Sequence, residues 1–455
     1  MVRSRGVTYY VRDLVPGRAE GTGVAGESQG VWTGRGSTVL GVNGTVDPGV
    51  FSTVFAGRDP VADRPLRTGR GPRDVAGVDL VFGAPKSVSL LHLLGPGELA
   101  EEAGAAHEAA VADAVGYLER LALGVRRTRG GVTRHLPATG VVATAFVHRT
   151  SRALDPHVHT HLMTANVAQG VDGTWSAVDT RRLFLHRRPL EAVYGASLRR
   201  QLSDRLGVAW ERGRSGRWDV VGVDPVLERM FSQRTASIDE HAFRASGGRG
   251  SPGQRRVAFH AERPAKGAGP TVEDLRNAWR RRVYDHHLDP ADLVRVVGRA
   301  RTAPARPPVD RDELSARLEA HAGRRPVLGP RELLAAVADS SPAGLDVDEL
   351  GAVVDALGRS ADPTVGEASP MWHQWSSGRF TPGWVTADLV RSLSTSDGSL
   401  ATALEDPVPP GGRMLPGSDR GRTADRPVER TADRPIERTP ERGPGSGSTG
   451  LWRSR

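Results

Sequence analysis

Residues 141–167 read VVATAFVHRTSRALDPHVHTHLMTANV, and they hold four of the fourteen histidines of the chain: His148, His157, His159 and His161. Valine, phenylalanine, leucine and methionine flank these histidines, as is typical of β-strands. Because successive side chains of a strand alternate between its two faces, the last three histidines are expected to point the same way. His148 closes a strand of its own, and a polar loop joins it to the next. The stretch therefore predicts two neighbouring strands.

The same histidines predict a metal site. If the two strands pair in antiparallel fashion, His148 can lie beside His159 and His161. Three imidazoles that converge on one point can bind a divalent ion and leave positions open for a substrate. The alternative is a run of surface or core histidines, which isolated pairs usually are. Three histidines on one face and a fourth on the preceding strand favour the metal site.

Length and composition limit the class of protein. A chain of 455 residues is too long for one ordinary core, so two or three domains are expected. The sequence has no cysteine, which excludes disulfides and thiolate metal sites and fits a reducing cytoplasm. It contains neither an apolar signal core nor an apolar run long enough to cross a membrane. We expect a cytoplasmic protein with no membrane segment.

The charge balance indicates a nucleic-acid partner. The chain carries 62 basic and 53 acidic residues, a net charge of +9. Lys86 and Lys266 are the only lysines, so nearly all the basic residues are arginines, whose planar fork suits phosphate. A GC-rich genome also favours arginine over lysine, so the net charge is the stronger indication.

Three features upstream of the histidines are candidates for a site. Asp79 lies inside an apolar strand, where an unpaired charge is costly, so it either pairs locally or faces an active centre. Lys86 follows a Gly-Ala-Pro break and is as readily a solvated lysine as a phosphate ligand. Tyr9 and Tyr10 are two of only five tyrosines, and a pair near a terminus favours core packing when taken alone.

Apolar spacing and turn residues predict the other elements. Residues 124–139 form a basic loop, either a solvated turn or a DNA contact, and residues 207–223 a hairpin. Long helices are expected at 98–123, 186–206, 226–242 and 271–288, and short ones at 312–321, 330–338 and 347–357.

Five segments carry a resemblance to a known family. VWTGRGSTVLGVNGTVD at 31–47 and AGVDLVFGAPKSVSLL at 76–91 are followed by FVHRTSRALDPHVHTHLMTANV at 146–167. DGTWSAVD at 172–179 and FSQRT at 231–235 come next in the same order. Together they resemble the conserved blocks of conjugative relaxases of the TrwC/TraI type (MobF), a branch of the HUH endonucleases. The resemblance covers residues 7 to about 290.

The resemblance implies an α+β fold, with a central antiparallel sheet flanked by helices, the palm of HUH relaxases. It implies a relaxase domain over residues 1–290, then a linker at 291–310 that contains the proline-rich TAPARPPVD. A small helical domain at 311–395 is similar to the region that precedes a helicase motor. Residues 396–455 include an eight-residue repeat, RTADRPVE and RTADRPIE, and are predicted to be disordered.

The resemblance also assigns site residues. Its tyrosine pair corresponds to Tyr9 and Tyr10, of which the first is the usual nucleophile. Asp79 corresponds to an acid that orients or deprotonates near the site, and Lys86 and Arg152 to basic positions near the DNA path. The implied metal ligands are His148, His159 and His161, whereas His157 stands where the family usually has glutamine. GTGVAG occupies the place of a second tyrosine pair, and the start before Tyr9 is short for the family, so an abbreviated strand is expected there.

The implied activity is nicking and rejoining of one DNA strand at a plasmid or integrative-element transfer origin, through a 5′-phosphotyrosine. A divalent metal, Mg²⁺ or Mn²⁺, is the expected cofactor. The expected partners are single-stranded DNA, an origin hairpin and a conjugative coupling protein. No G-x-x-x-x-G-K-[ST] motif occurs, so ATP is not expected and the chain is interpreted as a helicase-less or truncated relaxase. The alternatives are a catalytically inactive origin-binding protein and a rolling-circle replication initiator.

Overall fold

A five-stranded antiparallel sheet lies at the centre of the fold, so the predicted α+β class is confirmed. The structure is a computed structural model that describes residues 2–3, 29–67, 75–151, 153–213, 216–233, 270–302, 307–325, 327–361, 384–385 and 393. From one edge to the other, the strands of the sheet are β1 (Val2–Arg3), β3 (Val75–Gly83), β7 (Pro156–Ala165), β6 (Ala143–Thr150) and β2 (Val31–Thr33).

Helices and two-stranded ribbons surround the sheet. The ribbons pair β4 (Gly124–Arg129) with β5 (Val132–Pro137), β8 (Ala168–Gln169) with β9 (Trp175–Ser176), β10 (Trp210–Arg212) with β11 (Trp218–Val220), and β12 (Val327–Leu328) with β13 (Trp384–Val385). The helices are α1 (Arg35–Val39), α2 (Pro48–Phe55), α3 (Lys86–Leu94), α4 (Gly97–Tyr117), α5 (Thr180–Leu185), α6 (Arg187–Leu206), α7 (Pro225–Met230), α8 (Val272–Asp285), α9 (Arg299–Thr302), α10 (Arg311–Ala322), α11 (Pro330–Asp339) and α12 (Val347–Ala361). A π-helical turn, Leu118–Ala122, extends α4, and a 3₁₀ helix spans Pro290–Val296.

The two faces of the sheet have different coverings. Val158 and Leu162 of β7 point to the face covered by α3, α4 and α6, where they join the larger hydrophobic cluster. Met163 of the same strand belongs to a smaller cluster on the opposite face, together with Phe51 of α2 and Phe146 of β6. The histidines of β7 continue the row of Met163. One face is therefore core, and the other is partly open where the histidines lie.

Most long helices follow the prediction. Residues 98–123 and 186–206 correspond to α4 with its π-helical turn and to α6, which ends at Gly207 in the left-handed conformation. Helix α8 starts with the predicted capping box, in which Thr271 and Asp274 bond each other's backbone N–H. Of the helix predicted at 226–242, the structure describes α7 and the residues up to 233; the rest lies outside the described residues.

The predicted loop at 124–139 is wrong, because β4 and β5 form a hairpin there. Gly130 and Gly131 occupy its turn, both with positive φ, which suits the twist of a two-residue connection. Val125 and Leu136 join the larger hydrophobic cluster at the base of the ribbon, but arginine and threonine fill most positions beyond it, so the sequence shows no sustained apolar alternation. Arg127 also holds the hairpin to the body through Asp172 and Ser176.

The short helix α11 packs against α6, and α10 and α12 pack against α11. Their buried leucines, Leu314, Leu333 and Leu350, belong to the same hydrophobic cluster as the main sheet. The side chain of Arg199 in α6 is buried and donates hydrogen bonds to the carbonyls of Ala338 and Ser341. The predicted domain boundaries stay predictions, and the predicted disordered tail lies outside the described residues.

Within the described part of the chain, no helix combines the length and the apolar character that a membrane span requires.

Gly344 offers a test of how closely the C-terminal helices fit. It is buried with a φ of 79°, and an added Cβ would overlap the main chain of Ala196 and Arg200 in α6. We expect Gly344→Ala to lower the free energy of unfolding by about 3 kcal/mol or more, from backbone strain and from overlap. Gly44→Ala is the control, because Gly44 has a φ of 66° and open space around it.

In the control, the free energy of unfolding should fall by only about 1 kcal/mol, because the substitution adds backbone strain without overlap. Urea unfolding of the full chain measures both. Equal losses in the two variants would show that the helices do not press on α6.

Candidate metal centre

Three histidines form a near-regular triangle on the open face of the sheet. His148, His159 and His161 each offer a ring nitrogen within 4.8 Å of the other two. The centroid of the His148 ring lies 5.2 Å from that of His159 and 5.0 Å from that of His161. The centroids of His159 and His161 are 5.2 Å apart. The pairing of β6 with β7 causes this, because it sets His148 directly opposite His159. The structure therefore brings together the three predicted ligands.

Hydrogen bonds fix the orientation of two of the rings. Nδ1 of His161 lies 3.0 Å from each carboxylate oxygen of Asp79 on β3. Nδ1 of His159 lies 3.1 Å from the carbonyl oxygen of His157. A carbonyl or a carboxylate can only accept, so each Nδ1 carries the proton and donates it. Nε2 is then the atom of each ring that carries the lone pair with which a metal ion can be bound.

His148 is held in its neutral form. It is only 6% exposed, and burial lowers its pKa to about 2, with His161 and His159 acting in the same direction. A neutral imidazole is the form that binds a metal ion.

The donor set fits a divalent metal ion. Three imidazole nitrogens are a common ligand set for first-row divalent ions, and fewer than four protein ligands leave positions for a substrate. His157 stacks on His159 with centroids 4.8 Å apart and is not a member of the cluster among the described residues. His157 therefore supports His159 through its carbonyl and by ring stacking.

Asp79 explains why an acid stands in an apolar strand. Its neighbours Val78 and Leu80 point to the core face, while its own side chain points to the face of the histidines. Of the two roles that the resemblance left open, the contact with His161 favours orientation of that ring over proton abstraction.

Lys86 has a structural contact at the edge of this site. Its Nζ donates to the carbonyl oxygen of Pro156 at 2.5 Å, where β7 begins. Burial lowers the pKa of Lys86 to about 8, although Asp155 and Glu228 act in the opposite direction. The ammonium thus links the first turn of α3 to the strand that carries the histidines. Its predicted contact with DNA stays a prediction.

The remaining predicted residues have no described position. Tyr9, Tyr10 and Arg152 lie outside the described residues, so the structure does not relate them to the histidines.

Sequence reasoning missed a polar network behind the cluster. His107 of α4 is buried between the Tyr194 hydroxyl and the Thr160 hydroxyl, at 2.8 Å from each. Thr160 lies between two of the site histidines but points to the core face, so it ties β7 to α4 and α6. The signal in the sequence was a threonine between Val158 and Leu162 in the core-facing row of β7, together with a histidine inside an alanine-rich helix.

Comparison with known proteins places this geometry in a family. The profile of the TrwC relaxase matches residues 3–286. The multifunctional conjugation protein TraI of Escherichia coli is 34% identical over 220 residues, which are 46% of this chain and 12% of that protein. The chain therefore spans about an eighth of the length of this relative.

Two solved structures are similar to this chain. One is the metal-bound conjugative relaxase TrwC in complex with OriT DNA, which is 28% identical with a TM-score of 0.55. The other is TrwC complexed with a 27-mer DNA comprising the recognition hairpin and the cleavage site, which is 29% identical with a TM-score of 0.55. Each comparison covers 64% of this chain and 98% of the other. Because the family profile matches more than half of this chain, the chain belongs to the TrwC relaxase family.

Proposed function

We propose that the protein nicks one strand of DNA at the transfer origin of a plasmid or integrative element and later rejoins it. The observation that carries this proposal is the cluster of three oriented imidazoles on the open face of the sheet. The TrwC structures that contain OriT DNA and metal support it, because their fold and sequence are similar to this chain.

The proposed reaction is a transesterification. The hydroxyl oxygen of Tyr9 attacks the scissile phosphorus in line and loses its proton to a nearby acceptor. The bond from phosphorus to the 3′ oxygen breaks, which leaves a 3′-hydroxyl and a 5′-phosphotyrosine. Because the new bond keeps the energy of the phosphodiester, the reverse attack by a 3′-hydroxyl rejoins the strand without ATP. Tyrosine titrates near pH 10, so its hydroxyl needs activation.

The histidines are proposed as the ligands of the metal. A divalent ion, when bound, supplies positive charge beside the scissile phosphate. His148, His159 and His161 hold it as neutral donors, and Asp79 is a positioning residue that keeps the His161 ring in the required tautomer. Of the two expected ions, we favour Mn²⁺ over Mg²⁺, because imidazole is a poor ligand for the hard Mg²⁺ ion.

The role of Asp79 can be tested by metal titration. We expect Asp79→Asn to weaken Mn²⁺ binding on the order of 10–100-fold, since an amide no longer fixes the His161 tautomer. Calorimetric titration of the full chain with Mn²⁺ measures this. Asp172→Asn is a matched control, because that carboxylate pairs with Arg127 at the β4–β5 hairpin. Unchanged affinity in Asp79→Asn would remove its assigned role.

The nucleophile can be tested by trapping the covalent adduct. We expect the wild type, incubated with single-stranded origin DNA and Mn²⁺, to give a protein–DNA adduct that survives denaturing electrophoresis. Tyr9→Phe should abolish the adduct, and Tyr10→Phe should retain it. The opposite pattern assigns the attack to Tyr10. An absence of adduct in every condition would instead support an inactive origin-binding protein.

The β4–β5 hairpin is the proposed contact for the duplex part of an origin hairpin. Arg126 and Arg134 are exposed on opposite faces of this ribbon, and Arg127 anchors its base. A two-stranded ribbon has the width of the DNA major groove. Its arginines suit phosphate oxygens, as expected for the basic stretch 124–139.

Salt dependence measures this contact. We expect Arg126→Ser/Arg134→Ser to weaken binding to a DNA hairpin and to lower the slope of log K against log salt by about 1.8, at about 0.9 for each phosphate contact. Arg295→Ser is the control, an exposed arginine paired with Asp292. An equal change of slope in the control would count against the hairpin.

Family membership alone leads us to propose a conjugative coupling protein as a partner. It also leads us to propose a cytoplasmic location.

A further inference from the structure

A groove of about 740 Å³ runs along the outer edge of β3. On this edge β1 pairs only with Val75 and Gly77, and no strand of the described residues pairs with the remainder. Helix α6 and the β10–β11 ribbon form the other walls. Asp79 and His157 also line the groove, so it adjoins the histidine cluster.

The lining of the groove is basic. Six arginines and three acids line it, an excess of three positive charges. The arginines are Arg187, Arg188, Arg199, Arg212, Arg217 and Arg317, and the acids are Asp79, Glu191 and Asp339. Acids and arginines are both partly paired, since Asp79 holds His161, Asp339 pairs with Arg188 and Arg317, and Glu313 pairs with Arg212 and Arg317. Arg187 and Arg188 stand exposed at the start of α6. A polyanion would therefore be attracted to this rim.

Apolar groups are exposed beside these arginines. The Phe184 side chain of α5 is 47% exposed and lines the groove next to Arg187. Val81 of β3 is 53% exposed on the opposite wall. A positively charged groove with an exposed aromatic ring is the combination that binds single-stranded nucleic acid, by phosphate contacts and by base stacking.

Part of the groove comes from the chain beyond residue 286, where the family match ends. The Trp218 indole of β11 donates to the carbonyl of Asp339 at 3.1 Å. The guanidinium of Arg212 lies 4.0 Å from the centre of the Trp218 ring and donates to Glu313 and to the Asp339 carbonyl. The C-terminal helices thus hold the β10–β11 ribbon in place as a wall.

We propose that this groove binds the single strand that runs on from the scissile phosphate. Arg187 and Arg188 contact its phosphates, and Phe184 stacks on a base. The proposal rests on the proposed function for the presence of that strand, but strand binding does not require cleavage. A peptide added to the open edge of β3 is the rival occupant, and the excess of arginine favours DNA over it.

The experiment measures binding of a fluorescein-labelled oligothymidylate of about 15 nucleotides to the full chain by anisotropy. We expect Arg187→Ser/Arg188→Ser to reduce the slope of log K against log salt by about 1.4, at about 0.7 for each single-strand phosphate. Phe184→Ala should weaken binding on the order of 10-fold, whereas the aromatic Phe184→Tyr should retain it. The control is Arg280→Ser/Arg281→Ser, two exposed arginines of α8 that do not line the groove.

Three results would overturn the proposal: an unchanged slope in the groove double variant, an equal change in the control, or full binding by Phe184→Ala. Thermal unfolding of each variant excludes loss of the fold as the cause. The adduct assay separates this proposal from the proposed function. If the wild type forms the adduct and the groove variants bind oligothymidylate normally, the groove proposal is wrong and the nicking activity stands. If the wild type forms no adduct and the groove variants lose oligothymidylate binding, the nicking activity is wrong and the groove proposal stands.

Discussion

The antiparallel register between β6 and β7 is the constraint on which the site depends. It sets His148 opposite His159 and Phe146 opposite His161, so that three rings share one face. Side chains of a strand repeat every two residues, so a slip by one residue would turn the histidines of β7 into the core and expose Val158 and Leu162. The burial of Val158 and Leu162 against the helices therefore specifies the position of the histidine row.

Hydrogen bonds from within this strand pair and from outside it hold the register and orient the rings. Asp79 reaches His161 from β3, and the carbonyl of His157 holds His159 within β7 itself. On the core side, Thr160 is bonded to His107, and His107 to Tyr194, which connects β7 to two helices. Burial lowers the pKa of His107 to about 3, so this link stays uncharged in the core. A site supported from both faces of one strand needs little rearrangement to receive an ion.

The sequence allowed the prediction of the strand pair, the histidine triangle and the long helices, because periodicity and capping are local properties. Family resemblance supplied the tyrosines, which no spacing connects to the histidines. The β4–β5 hairpin was missed because only its base is apolar, and the arginines and threonines beyond it interrupt the alternation that marks a strand. The contacts of Arg199 with Ala338 and Ser341 join residues about 140 positions apart, and such pairings leave no trace in a single sequence. The same holds for the bond from Lys86 to Pro156, which depends on how α3 meets β7.

The close fit of Gly344 against α6 has a consequence for how such chains can recombine in evolution. Residues 307–361 share a core with the sheet, and the carbonyls at the end of α11 accept from an arginine buried in α6. A gene fusion that joined a foreign segment immediately after residue 286 would leave this apolar surface and the Arg199 guanidinium without their partners. A fusion that kept the larger hydrophobic cluster intact would have its junction after Ala361. The unit that recombination can pass on whole is thus longer than the part that the family match delimits.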